Sequence, residues 1–151
     1  MLDRITVLAD PRLRVSVGFR RALARRLQRA APRMGDTRGR LDTLAVRLVG
    51  DPEMTALHTR YYGEPGTTDV LSFGVDGDEL GDVALGWSAV RSQAHQRGCS
   101  NLDSACVLAT HGIAHLLGHD HRTRREARAM LRAEARGLRA IGITDLTRPY
   151  G

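Results

Sequence analysis

The chain contains no lysine at all, so every one of its 23 basic residues is arginine. It has only two cysteines, Cys99 and Cys106. They form no Cys-x-x-Cys pair, and two thiols make no disulfide framework, so two reduced cysteines are expected. No run of about 18 apolar residues occurs, which excludes a membrane-spanning helix. The N-terminus, Met-Leu-Asp-Arg-Ile-Thr-Val, lacks a long apolar segment and carries an early acid, so it does not read as a signal peptide. A cytoplasmic protein is the expectation. Repeats and long linkers are also missing, so residues 1–151 are expected to form one domain.

What is present is a basic chain of 151 residues with a net charge of +6 and 42% hydrophobic residues, enough for a proper core. Arginine suits phosphate through its planar, two-pronged donor face, and a basic chain attracts nucleic acid before any specific contact forms. The same charges could simply solvate the surface.

Chemistry concentrates in His111 to His121, His-Gly-Ile-Ala-His-Leu-Leu-Gly-His-Asp-His, which holds four of the six histidines. His111 and His115 lie four apart, one turn from each other on one helix face. Gly118 can end the helix and turn the chain back, which brings His121 beside them. Three neutral imidazoles then converge on one point with the remaining positions open to water and substrate, the layout of a catalytic zinc site. His119 is read as a surface or supporting residue rather than a fourth ligand. Asp120 either orients a ligand histidine or shapes the turn.

The spacing His-x-x-x-His-x-x-Gly-x-x-His is similar to that of the metzincin proteases. Those enzymes place a general-base glutamate directly after the first histidine. Here that residue is Gly112, which has no side chain, so the metal site survives the comparison and the reading as a zinc peptidase is weakened.

Periodicity supplies the frame. Residues 4–8 read as a strand broken by Pro11. From Val15 to Ala30 the apolar spacing is helical, with Arg20, Arg21, Arg25, Arg26 and Arg29 on the other face. Pro32 to Arg40 reads as a polar loop. Asp42 to Val49 alternates as a strand. Asp51-Pro52 starts a helix that Gly63 ends, with Met54, Leu57 and Tyr61 as its buried stripe. Asp69 to Val75 is a buried strand, Asp76-Gly77 a hairpin turn and Gly81 to Gly86 the return. Ser88 is expected to cap a helix that Gly98 terminates. Ser100 with Asp103 opens the helix of His111 and His115. Thr123 to Ala140 is an amphipathic helix with Ala127, Met130, Leu131 and Leu138 inward and its arginines and glutamates in solvent. The fold class is α+β: a small mixed sheet of about four strands packed against about five helices, with a zincin-like metal-site helix.

Three motifs in order, Thr68-Asp69-Val70-Leu71-Ser72-Phe73, Leu80-Gly81-Asp82-Val83 and the histidine stretch, resemble the YbeY family of endoribonucleases and ribosomal RNA maturation factors. The likeness covers roughly residues 42 to 142. It implies one zinc ion per chain on His111, His115 and His121. It also implies cleavage of single-stranded RNA, maturation of the small-subunit ribosomal RNA 3′ end, ribosome quality control, and contact with ribosomal components. Two departures stand out. Tyr62 occupies the place of a family arginine thought to serve RNA cleavage, with Arg60 two residues earlier. The loop from Glu64 to Thr67 lacks the family's usual Lys-Pro. Candidates for holding substrate are Arg60, Ser72 and Asp82, although Ser72 could just continue its strand and Asp82 could tether a loop. The residues identify no general base. A second reading, motivated by Tyr62, is a ribosome-associated binding factor with a largely structural metal and weak hydrolase activity.

Overall fold

The structure is a computed structural model, and it describes residues 5–35, 44–64, 66–74 and 81–144. In chain order the elements are β1 (Ile5–Ala9), α1 (Val17–Ala30), β2 (Leu44–Val49), α2 (Asp51–Tyr62), β3 (Val70–Phe73), β4 (Gly81–Gly86), α3 (Trp87–Arg97), α4 (Asn101–Leu116) and α5 (Arg124–Arg139). The four strands make one mixed sheet in the order β1-β2-β4-β3. β1, β2 and β4 run parallel, and β3 joins β4 antiparallel with Ser72 opposite Val83. The class is α+β, as the alternation of patterns predicts.

The two faces of the sheet separate by residue parity. Leu44, Val46 and Leu48 of β2, with Val83 and Leu85 of β4, join the main core under α1, α4 and α5. Val49, Leu71 and Ala84 point the other way and meet Met54 of α2. α4 is the central helix: every residue from Ser104 to Ala114 is buried. Small residues let it lie close to the sheet. A Cβ on Gly112 would stand 2.7 Å from Val83 Cγ1, 3.0 Å from Ser72 Oγ and 3.2 Å from Val70 Cγ2. The position that carries glutamate in metzincins therefore faces β3 and β4 at a distance only glycine allows. Its carbonyl accepts a 2.8 Å hydrogen bond from Ser72 Oγ, which pins β3 to α4.

Capping explains most helix starts. Ser100 Oγ accepts from the Asp103 N–H at 3.0 Å. Thr123 Oγ1 accepts from the Glu126 N–H at 3.1 Å, and its hydroxyl donates to Glu126 Oε1 at 3.2 Å. Several boundaries differ from the pattern-based expectation. α1 begins at Val17, not Val15, because Ser16 Oγ caps it by accepting from Phe19 N–H. α3 begins at Trp87 with Gly86 as its cap, so Ser88 lies inside the first turn; β4 runs directly into the helix and leaves no room for a side-chain cap. Likewise Gly50 caps α2, and Asp51 is its first residue. Tyr61 is not part of the buried stripe: it is 55% exposed. Within the expected loop after α1, Ala31–Arg33 form a single 3-10 turn and Met34 is buried. The expected Asp76-Gly77 turn and residues 36–40 fall outside the described residues.

Two charged positions also depart from their expected solvation. Arg26 on the basic face of α1 pairs with Asp103 of α4 at 2.7 Å and so helps hold these helices together. Glu134 of α5 is fully buried. Both cysteines are free thiols. Burial pushes the Cys106 thiol up to about 12, so it packs as an inert apolar group.

Candidate metal centre

α4 delivers His111 and His115 from its last two turns. His111 is buried and His115 half-buried, and their ring centroids lie 4.8 Å apart. The helix then closes in a Schellman motif. Gly118, at φ 99°, donates its N–H to the His115 carbonyl, and His119 donates to the Ala114 carbonyl, both at 3.0 Å. That reversal carries His121 back, with its ring 5.4 Å from His115 and 5.8 Å from His111. One ligand nitrogen from each of the three lies within 4.8 Å of the others. Zn–N bonds of about 2.0–2.1 Å in a tetrahedron hold nitrogens about 3.4 Å apart, so modest side-chain rotation draws this set onto one ion.

The surroundings suit coordination through the Nε2 atoms. His111 Nδ1 lies 3.3 Å from Glu134 Oε2, and His115 Nδ1 lies 3.1 Å from the His119 carbonyl oxygen. Such partners fix the tautomer and aim the other nitrogen. Burial, followed by the neighbouring His111, lowers the His115 pKa below the usual imidazole value. The ring thus stays neutral, the form that binds metal. Asp120 serves the turn: its carboxylate accepts from the His121 N–H at 2.8 Å and from Arg122 Nε at 3.1 Å, and the former holds its pKa down.

The cluster opens on a cleft of about 520 Å³ whose walls include Tyr62, Thr68, Asp69 and Ser72 as well as the three histidines. Ser72, a candidate for holding substrate, is therefore in the cleft wall, with its hydroxyl proton committed to Gly112. Arg60 and Asp82 are not among the lining residues. Arg60 lies 5.6 Å from the centre of the Tyr61 ring, and Asp82 sits within β4 opposite Phe73.

Two features of the site, Asp69 in the cleft wall and Glu134 behind His111, were not anticipated from sequence; Tyr62 was singled out there only as standing in a family arginine's place. Asp69 is the carboxylate of the lining set, steadied by Gln93 Nε2 at 3.0 Å. Tyr62 lines the cleft itself. Glu134 comes from a helix that reads as charged and solvated. A signal for it existed: Met130, Glu134 and Leu138 fall at spacing four, so the glutamate sits in the apolar stripe, where a charge requires a buried partner.

Three imidazoles facing an open cleft define the donor layout of a catalytic rather than a closed structural metal centre. Comparison with known proteins identifies the family. Residues 14–142 match the family described as Endoribonuclease YbeY, and the chain belongs to it. Over 117 residues it is 40% identical to the Endoribonuclease YbeY of Deinococcus radiodurans, covering 73% of this chain and 74% of that one. Over 126 residues it is 38% identical to that of Thermus thermophilus, covering 78% and 91%. In three dimensions it is similar to the solution structure of a Thermotoga maritima protein, with a TM-score of 0.52 and 17% identity over 96% of this chain and 99% of that one, a likeness of fold. Family membership makes the chain a nuclease-type hydrolase with RNA as its substrate.

Proposed function

We propose that this protein is a zinc-dependent, single-strand-specific endoribonuclease that matures ribosomal RNA at the small-subunit 3′ end and takes part in ribosome quality control in the cytoplasm. The observation that carries the reading is the convergence of His111, His115 and His121 on one cleft. Zinc held there would supply Lewis acidity toward a phosphoryl oxygen and activate water at neutral pH.

The chain's own residues supply the rest. Glu134 and the His119 carbonyl orient two of the three rings. Ser72, Thr68 and Asp69 give the cleft polar walls for a sugar–phosphate strand. An all-arginine net charge of +6 draws a polyanion toward the surface. Among the described residues, no helix is long and apolar enough to cross a membrane.

The test is incubation of the zinc-loaded protein with single-stranded and duplex RNA. Cleavage of the single strand is expected, and both His115→Ala and a chelator should abolish it. Cleavage that persists in His115→Ala would sink the reading. Precursor ribosomal RNA with an extended small-subunit 3′ end should accumulate in cells depleted of the protein.

One observation favours a second reading, a ribosome-associated binding factor with weak hydrolase activity. Tyr62 lines the cleft where the family carries arginine, and Arg60 does not. Full chelator-sensitive cleavage by a chain that stays folded without metal would count against it.

A further inference from the structure

Only six aromatic residues occur in this chain. Phe19 and Trp87 pack edge to face against one another at 5.4 Å. Phe73 packs against Tyr61 at 4.4 Å. Tyr62 is spent differently. It ends α2 58% exposed, in the wall of the cleft that also holds the three histidines. One side of its ring leans on His58, one turn earlier, with centroids 5.5 Å apart and planes 31° from parallel. The ring is thus braced from behind and leaves most of its surface to solvent. Scattered surface aromatics are ordinary. A braced one in the wall of a polar cleft has the features of a recognition surface.

We propose that Tyr62 is a stacking platform that holds one unpaired nucleobase of a single-stranded RNA beside the histidine cluster. The nature of the ligand rests on the endoribonuclease reading above. A tyrosine offers a flat apolar face and loses little rotamer freedom on binding, and every base has a complementary face. A base in a duplex is stacked and paired and is not available to it, so this one contact selects single strands. It also changes the character of the grip. An arginine here would hold a phosphate and add to the salt dependence of binding; a stacked ring adds affinity that salt does not screen. The phosphates are left to arginines elsewhere on the +6 surface.

The test compares two fluorescent ten-nucleotide 2′-O-methyl strands by anisotropy, one with mixed bases and one abasic, on the zinc-loaded protein at several salt concentrations. Gel analysis of the strands verifies that they remain intact. The wild-type protein should prefer the base-bearing strand. Tyr62→Ala should weaken that strand about 5- to 150-fold, the usual range for losing one base–aromatic stack. It should leave both the abasic strand and the salt slope unchanged, and Tyr62→Phe should bind as wild type. Equal loss on both strands, or no loss on either, overturns the platform. If the wild-type protein cuts RNA yet binds the two strands equally, the endoribonuclease reading stands and the platform falls. If it neither binds nor cuts single-stranded RNA, both fall. Circular dichroism of Tyr62→Ala separates a lost contact from a lost fold.

Discussion

Replacing Gly112 by alanine sets two physical effects against each other. Within a helix interior alanine is better than glycine by about 1 kcal/mol, so helix propensity alone makes the variant more stable. Packing opposes it. The new Cβ would stand 2.7 Å from Val83 Cγ1, 3.0 Å from Ser72 Oγ and 3.2 Å from Val70 Cγ2. Val83 is fully buried and β-branched, so it has no inexpensive alternative rotamer. Ser72 is held in place by its hydrogen bond to the Gly112 carbonyl. Overpacking of this kind costs about 1–3 kcal/mol, and three contacts on two strands place this case toward the upper end. Packing therefore wins by about 2 kcal/mol, and for a chain of this size the midpoint falls by about 4–8 °C. Thermal unfolding followed by circular dichroism, in chelator so that metal does not contribute, measures it. Adding Val83→Ala should relieve the clash and give a coupling of about 1 kcal/mol or more in a double-mutant cycle. A Gly112→Ala chain more stable than its parent by the full propensity gain, and uncoupled from Val83, would refute the close approach of α4 to the sheet.

Glu134→Ala leaves His111 without its carboxylate, and zinc affinity should fall about 10- to 100-fold in a competition titration with a chromophoric chelator; unchanged affinity would separate Glu134 from the metal centre. Gly118→Ala forces a side chain into φ 99° and should cost about 1–2 kcal/mol or reopen the turn. Because His121 hangs on that turn, zinc affinity should drop further than stability does. The depressed His115 pKa gives a pH signature in the metal-free chain. Above the unfolded value of about 6.5 both states hold the ring neutral. As pH falls below it, the unfolded chain takes up the proton first, so stability declines until the lower folded pKa is passed. His115→Ala should flatten that decline in urea titrations at pH 7 and pH 5, and an unchanged slope would exclude His115 as its source.

Local chemistry determined much of this protein from the sequence alone. Hydrophobic periods of two and near 3.6 located four strands and five helices, and a cap such as Ser100 acts over three residues, so chain-order reading finds it. The approach of His111, His115 and His121 is local too, since one helix turn and one glycine reversal produce it. Where two elements compete for one residue, order along the chain is silent. Gly86 closes β4 and caps α3 together, which displaced the expected Ser88 cap.

Everything that depends on which surface faces which was decided in three dimensions. Glu134 follows His111 by 23 positions in the chain, and only the packing of α5 on α4 makes them partners. Tyr62 at the end of α2 and Asp69 just before β3 enter the cleft, whereas Arg60, two residues earlier on α2, and Asp82 of β4 do not line it. Gly112 looks like a missing catalytic group in sequence and is a packing requirement in the fold. Spacing along one element fixes angles about its own axis. The depth at which two elements pack is set by side chains distant in sequence.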